Sequence, residues 1–161
     1  MDTLELALSL ELDLGKYYRE QAEKNANNSL QVVFNMLARE EDKHAEILMS
    51  KADLLTLPVS ESNILKEAEK LFRHLKDFES DFTELPSQLD SYRMALEMEH
   101  KSLKFYTSLR DKAESKEEKT TYEYLMKQED IHCILLEELV KLTTRPEEWV
   151  ESAEFGVRED Y

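Results

Sequence analysis

The sequence predicts an all-α protein: a four-helix bundle with one long crossover between its second and third helices and a short C-terminal helix. Three observations predict it. Glycine and proline together make up 5 of 161 residues, about 3%, where a globular chain averages roughly 12%. Sheet-rich folds spend those residues at every turn, and this chain has too few. Apolar residues recur at helical spacing over four stretches of about twenty residues or more. These stretches form two pairs that repeat one another at an offset of 88 residues. The length argues for a single domain, with a helical hairpin over 3–55, a crossover over 56–87, a second hairpin over 88–143 and a tail over 144–161.

The first helix is expected over 3–24, capped by Asp2 or Thr3, with a stripe of Leu4, Leu8, Leu14, Tyr18 and Ala22. Asn25 to Ser29 is a run of poor helix formers in which Asn28 or Ser29 can cap the next helix. That helix is expected over 30–55, through Val33, Leu37, His44 and Leu48, with Pro58 ending it. In the crossover, Ser60-Glu61-Ser62 opens a shorter helix through Ile64, Ala68, Leu71 and Leu75, followed by an irregular acidic stretch from Asp77 to Pro86. The third long helix is expected over 87–113, through Leu96, Leu103, Tyr106 and Leu109. The fourth is expected over 117–142, through Leu125, His132, Leu136 and Leu139. Arg145-Pro146 should stop it, leaving Pro146 at the first position of a short helix over 147–152 that carries Trp149.

Composition excludes several functions. The chain has 21 basic and 36 acidic residues, a formal charge of −15. A nucleic-acid binder needs a basic face, and an anionic membrane surface would repel this chain. No apolar run approaches the ~18 residues that span a bilayer. Cys133 stands alone, so the sequence offers no intrachain disulfide and no Cys-x-x-Cys metal site. Met1-Asp2-Thr3-Leu4, with no basic residue before Lys16, is not the pattern of a signal peptide. A cytoplasmic protein is the expectation.

The repeat carries the chemistry. Glu11 and Tyr18 map onto Glu99 and Tyr106, and Glu41 and His44 map onto Glu129 and His132. Glu11 and Glu41 lie 15 residues either side of Ala26, and Glu99 and Glu129 lie 15 either side of Glu114. At about 1.5 Å per residue, each glutamate sits roughly 22 Å from its turn, so the partners in each hairpin share a height. Packed with two-fold pseudo-symmetry, all four carboxylates meet mid-bundle. His44 and His132 follow their glutamates by three residues, on the same helix face. Each glutamate also falls on an apolar stripe, where a carboxylate carries a heavy desolvation cost. Two divalent cations would supply +4 against −4. Carboxylates with one imidazole per metal suit iron or manganese, alone or mixed.

These residues resemble the ferritin-like di-iron carboxylate proteins, and among them the rubrerythrin family without its rubredoxin domain. Glu11 to Tyr18, Glu41-Asp42-Lys43-His44, Glu99-His100-Lys101-Ser102 and Glu129-Asp130-Ile131-His132 match that family's four helical motifs, and the likeness extends to Arg145-Pro146-Glu147-Glu148-Trp149. The resemblance implies two iron ions per chain. Glu11, Glu41 and His44 would hold one, Glu99, Glu129 and His132 the other, with Glu41 and Glu129 bridging. It implies an oxidoreductase that reduces H2O2 or O2, or oxidises Fe(II). The alternatives are a non-catalytic iron-binding or storage protein and a structural helical bundle. A homodimer is the expected assembly.

Two departures bear on this. The family's usual pair of Cys-x-x-Cys motifs is not in the sequence, so electrons are expected from a separate donor such as a rubredoxin-like protein. The family's extra glutamate one turn beyond the third-helix ligand is here Ser102, which weighs against its redox-linked ligand exchange. Several residues keep two readings. Tyr18 and Tyr106 either donate hydrogen bonds to the carboxylates or simply pack. Gly15, opposite Leu103 in the repeat, either leaves room for a small oxidant or answers a packing need. Glu97 and His100 break the repeat symmetry and are expected on the solvated surface, as is His74 unless it packs in the crossover. Cys133 is expected to be a buried small residue, and Met36, Met49, Met94, Met98 and Met126 core filler.

Overall fold

The computed structural model describes residues 3–50, 66–68, 70–71 and 88–155, with 145–155 as backbone alone. Four long helices dominate the described residues: α1 (Thr3–Lys24), α2 (Leu30–Met49), α3 (Leu89–Asp111) and α4 (Lys116–Phe155). Local signals account for their ends. Asn28 starts α2, its Oδ1 accepting the Leu30 N–H at 2.9 Å, while Ser29 makes no side-chain cap bond. Ser115 starts α4 by accepting the Glu118 N–H at 3.1 Å, which satisfies one of the donors a helix start leaves open.

Two ends differ from the sequence expectation. Helix α2 stops at Met49 with Ser50 as its C-cap, and the extension to residue 55 falls outside the described residues. Helix α4 does not stop at Arg145-Pro146: it runs unbroken to Phe155. A proline removes one backbone hydrogen bond and crowds the preceding turn, but its fixed φ is helical, and the turns on either side carry the helix past it. The segment over 147–152 is helical as expected, as a continuation of α4 and not as a separate element.

The helices are two hairpins, α1 with α2 and α3 with α4. Tyr18 of α1 reaches Glu99 of α3, and Tyr106 of α3 reaches Glu11 of α1, so α1 and α3 run antiparallel. His44 of α2 faces Glu129 of α4, and His132 faces Glu41, so α2 and α4 are antiparallel too. Consequently α2 and α3 point the same way. The Asn25 and Gln88 amides pair at 2.9 and 3.2 Å, which sets the start of α3 beside the α1–α2 turn and opposite the end of α2. This is the up-down-down-up order of a ferritin-like bundle. Of the crossover, residues 66–68 and 70–71 are helical. Ala68 is buried in the core with Leu71 packed against it; the rest of 56–87, including His74, lies outside the described residues.

The apolar core comes in two blocks. One contains Leu14, Tyr18, Phe34, Leu37, Tyr92, Leu136 and Leu139, with Phe34 between Tyr18 and Tyr92 at ring-centroid distances of 6.2 and 5.8 Å. The other contains Ala7, Leu48, Tyr106, Tyr122 and Leu125. Each fully buried large apolar side chain contributes about 1.5–3 kcal/mol. The methionines are a correction: Met49 and Met94 are 60% and 55% exposed, and Met36, Met98 and Met126 are partly buried at the core margin.

Candidate metal centre

A polar layer interrupts this core. Glu11 of α1, Glu41 and His44 of α2, Glu99 of α3, and Glu129 and His132 of α4 are all buried, none more than 2% exposed. Each comes from a stripe that is otherwise apolar, which is why helix packing carries them inward. The structure brings together all six residues singled out in the sequence.

The two histidines stack at mid-layer, ring centroids 5.6 Å apart and planes 20° from parallel. Each turns Nδ1 into the cluster. His44 Nδ1 lies 3.0 Å from Glu129 Oε1, 3.4 Å from Glu11 Oε2 and 3.6 Å from Glu41 Oε2. His132 Nδ1 lies 2.8 Å from Glu41 Oε1, 3.1 Å from Glu99 Oε1 and 3.8 Å from Glu129 Oε2. Both tyrosines also reach the cluster, crossing between hairpins. Tyr18 donates its hydroxyl proton to Glu99 Oε1 at 2.5 Å, and Tyr106 donates to Glu11 Oε1. They pack in the two core blocks and donate to carboxylates at once. Burial, then the charges of Glu99 on Tyr18 and Glu11 on Tyr106, push both hydroxyls well above their ordinary pKa, so both keep their protons.

The charges divide unevenly. Burial and the neighbouring charges of Glu11 and Glu99 push Glu41 well above the carboxylate range. Burial and the charges of Glu11, Glu41 and Glu99 do the same to Glu129. Burial also works against ionised Glu11 and Glu99, but there it is outweighed. The neighbouring Glu41 and the charge of His44 hold Glu11 well below its ordinary value. His132 and Glu129 bring Glu99 to about 2. Burial disfavours charged imidazoles, yet Glu11 for His44, and Glu99 with Glu41 for His132, raise both histidines well above their usual range. Protons in the layer are thus favoured on Glu41, Glu129 and the two histidines over Glu11 and Glu99.

The donor set fits divalent metal ions. Glu11, Glu41, Glu99 and Glu129 each keep one buried oxygen, Oε2, with no hydrogen-bond partner. An orphaned carboxylate oxygen at such depth costs about 1–3 kcal/mol or more, and here four occur in one layer. Two groups of ligand atoms lie within 4.8 Å of one another: Glu11, Glu41, His44 and Glu129, and Glu41, Glu99, Glu129 and His132. The groups share Glu41 and Glu129. All donors are carboxylate oxygens or imidazole nitrogens, the set that iron and manganese accept.

The residues around the layer resolve as follows. Ser102 is buried with its hydroxyl unpartnered. At Gly15 an added Cβ would lie 3.1 Å from Asp42 Oδ1, so the half-exposed Asp42 carboxylate borders the space beside this glycine. Glu97 and His100 are exposed, as expected. Cys133 is buried, as expected, and burial pushes its thiol up to about 12, which disfavours the thiolate. The sequence reading missed Glu40. Its carboxylate accepts from His132 Nε2 at 2.8 Å, although the 88-residue repeat, which sets Glu40 opposite Gln128, held the signal.

Among the described residues, no helix is long and apolar enough to cross a membrane. No curated protein and no solved structure matches the chain. The rubrerythrin family model does, over residues 2–140, a span that takes in all six cluster residues and both tyrosines. The chain belongs to the rubrerythrin family.

Proposed function

We propose that the buried layer holds two iron ions and that the protein is a di-iron oxidoreductase, reducing H2O2 or O2 or oxidising Fe(II). One observation carries this reading: two ligand groups that share Glu41 and Glu129, with an orphaned oxygen on every carboxylate. Glu11, Glu41, His44 and Glu129 would hold one ion, and Glu41, Glu99, Glu129 and His132 the other. Iron bound there would supply two-electron exchange with a small oxidant.

The chain's own residues prepare the layer. Glu41 and Glu129, shared by both groups, would hold the ions as bare carboxylates, and His44 and His132 would do so as neutral imidazoles. The Tyr18 and Tyr106 hydroxyls fix the rotamers of Glu99 and Glu11 from opposite faces. The two apolar blocks shield the layer from bulk water, which strengthens each electrostatic contact inside it. The reading includes an electron donor, such as a rubredoxin-like protein. It also includes a cytoplasmic location and a homodimer.

The test is anaerobic loading with Fe(II), metal analysis, and rapid mixing with H2O2 and with O2. About two ions per chain and a single oxidation that stops until a reductant is added are expected. Fewer than one ion per chain would sink the metal reading. Two ions inert to both oxidants would leave metal binding and overturn the enzyme. Glu41→Ala should lose metal, whereas Glu97→Ala, on the exposed face, should not.

A further inference from the structure

The pseudo-two-fold repeat pairs each cluster residue with its own kind. Glu11 pairs with Glu99, Tyr18 with Tyr106, Glu41 with Glu129 and His44 with His132. The next residue outward breaks the rule, because Glu40 is opposite Gln128. The consequence is visible at the two rings. His132 is held at both nitrogens: Nδ1 faces the cluster, and Nε2 lies 2.8 Å from Glu40 Oε1 on α2. His132 is fully buried, and Glu40 is 19% exposed. His44 is held differently. Among the described residues, its contacts to Glu129, Glu11 and Glu41 all run through Nδ1. Gln128 is buried at the mirror position, but it is an amide and carries no charge.

The difference has a physical meaning for a ring that must offer a lone pair. A carboxylate accepting the Nε2 proton fixes the tautomer in which Nδ1 is bare, holds the ring plane, and adds electron density to the donor nitrogen. Backing contacts of this kind change metal affinity by about 10–100-fold. An amide can supply part of the orientation and none of the charge.

We propose that the two halves of the centre are unequal by construction and that Glu40 is the positioning residue that makes them so. The half containing His132 would bind its divalent cation first and more tightly, and the half containing His44 would bind second. Glu40 touches no metal in this arrangement and acts only through His132. The inference rests on the di-metal reading above and adds an order of filling to it. That order makes singly loaded and mixed-metal forms accessible, which a symmetric pair would suppress.

The probe is Co(II), added anaerobically to the apo full-length protein and followed by calorimetry and by visible absorption. The wild type should show two unequal steps; His132→Ala should abolish the tighter one and His44→Ala the weaker one. Glu40→Gln keeps the shape of the side chain and removes the charge. It should weaken the first step by about 10–100-fold, leave the second in place, and shift the absorption of the first equivalent. Gln128→Glu should tighten the second step, and the double variant Glu40→Gln/Gln128→Glu should reverse the order. Apo-protein melting checks that each variant is folded, and a role limited to packing would move melting without moving the spectrum or the order. An unchanged ratio of the two steps in Glu40→Gln would overturn the proposal while leaving the di-metal centre intact. Failure of the wild type to bind any Co(II) would overturn both.

Discussion

Loading the apo-protein with two divalent ions near pH 7 should release about four protons per chain. The number follows from the charges in the layer. Both histidines are held well above their ordinary value of 6.5, so each carries an extra proton at neutrality. Glu41 and Glu129 are held well above 4.5, and two more protons there bring four carboxylates and two imidazoliums close to zero net charge. Metal ligation needs bare carboxylates and neutral imidazoles. Two doubly charged ions therefore displace four single charges. While all four protons are bound in the apo state, each unit rise in pH should raise the overall loading constant by up to about 10⁴, equivalent to about 5 kcal/mol at 1.36 kcal/mol per proton. The assay is calorimetric titration with Zn(II) or Co(II) in two buffers of different ionisation enthalpy, the difference giving the proton count. Ions gathered by the −15 surface give a clear contrast, because exposed carboxylates are already ionised and release almost nothing. Release of fewer than about two protons per two bound ions would refute the reasoning.

Apo stability should fall as pH rises, opposite to metal loading. His44, His132, Glu41 and Glu129 all have raised folded-state values, so their contribution is complete below 6.5 for the histidines and below 4.5 for the glutamates, and is lost above those points. Glu11 and Glu99 act the other way, losing theirs as pH falls below 4.5, toward about 2 for Glu99. Apo melting temperature should thus decline as pH rises above 6.5 and the metal-loaded value should not; a rising apo value would contradict the charge assignment. Tyr106→Phe should lower apo stability by about 1.5–3 kcal/mol, the range for a bond to a charged group, and Tyr18→Phe by less, because Glu99 Oε1 keeps His132 at 3.1 Å. Denaturant unfolding of the two variants decides the order, and equal losses would remove the asymmetry. Gly15→Ala should stabilise by up to about 1 kcal/mol, since the carboxylate its Cβ meets at 3.1 Å belongs to a side chain 49% exposed and free to yield. Lower stability with metal content unchanged would show that Asp42 cannot move.

Sequence periodicity alone determined the helices, because a stripe of Leu14, Tyr18, Leu37, Leu125 and Leu136 has one way to leave water. The 88-residue repeat likewise made the six cluster residues legible, since equal distances from two turns give equal heights wherever the hairpins pack. End positions were less legible. Pro146 reads as a stop because proline weakens a helix locally, yet α4 continues, and that outcome depends on the turns either side of it. Gly15 and the tyrosines needed tertiary contacts. Only the packing of α1 against α2 shows Asp42 bordering the space at Gly15. Only the antiparallel pairing of α1 with α3 lets Tyr18 serve the carboxylate of the other hairpin and Tyr106 return the same bond. Glu40 is the clearest division. The sequence records that its repeat equivalent is Gln128, but one glutamate among 26 is unremarkable until α2 and α4 pack and place it 2.8 Å from a buried imidazole nitrogen. Local spacing determines which residues share a face; which atoms then touch depends on distances between helices that no single segment encodes.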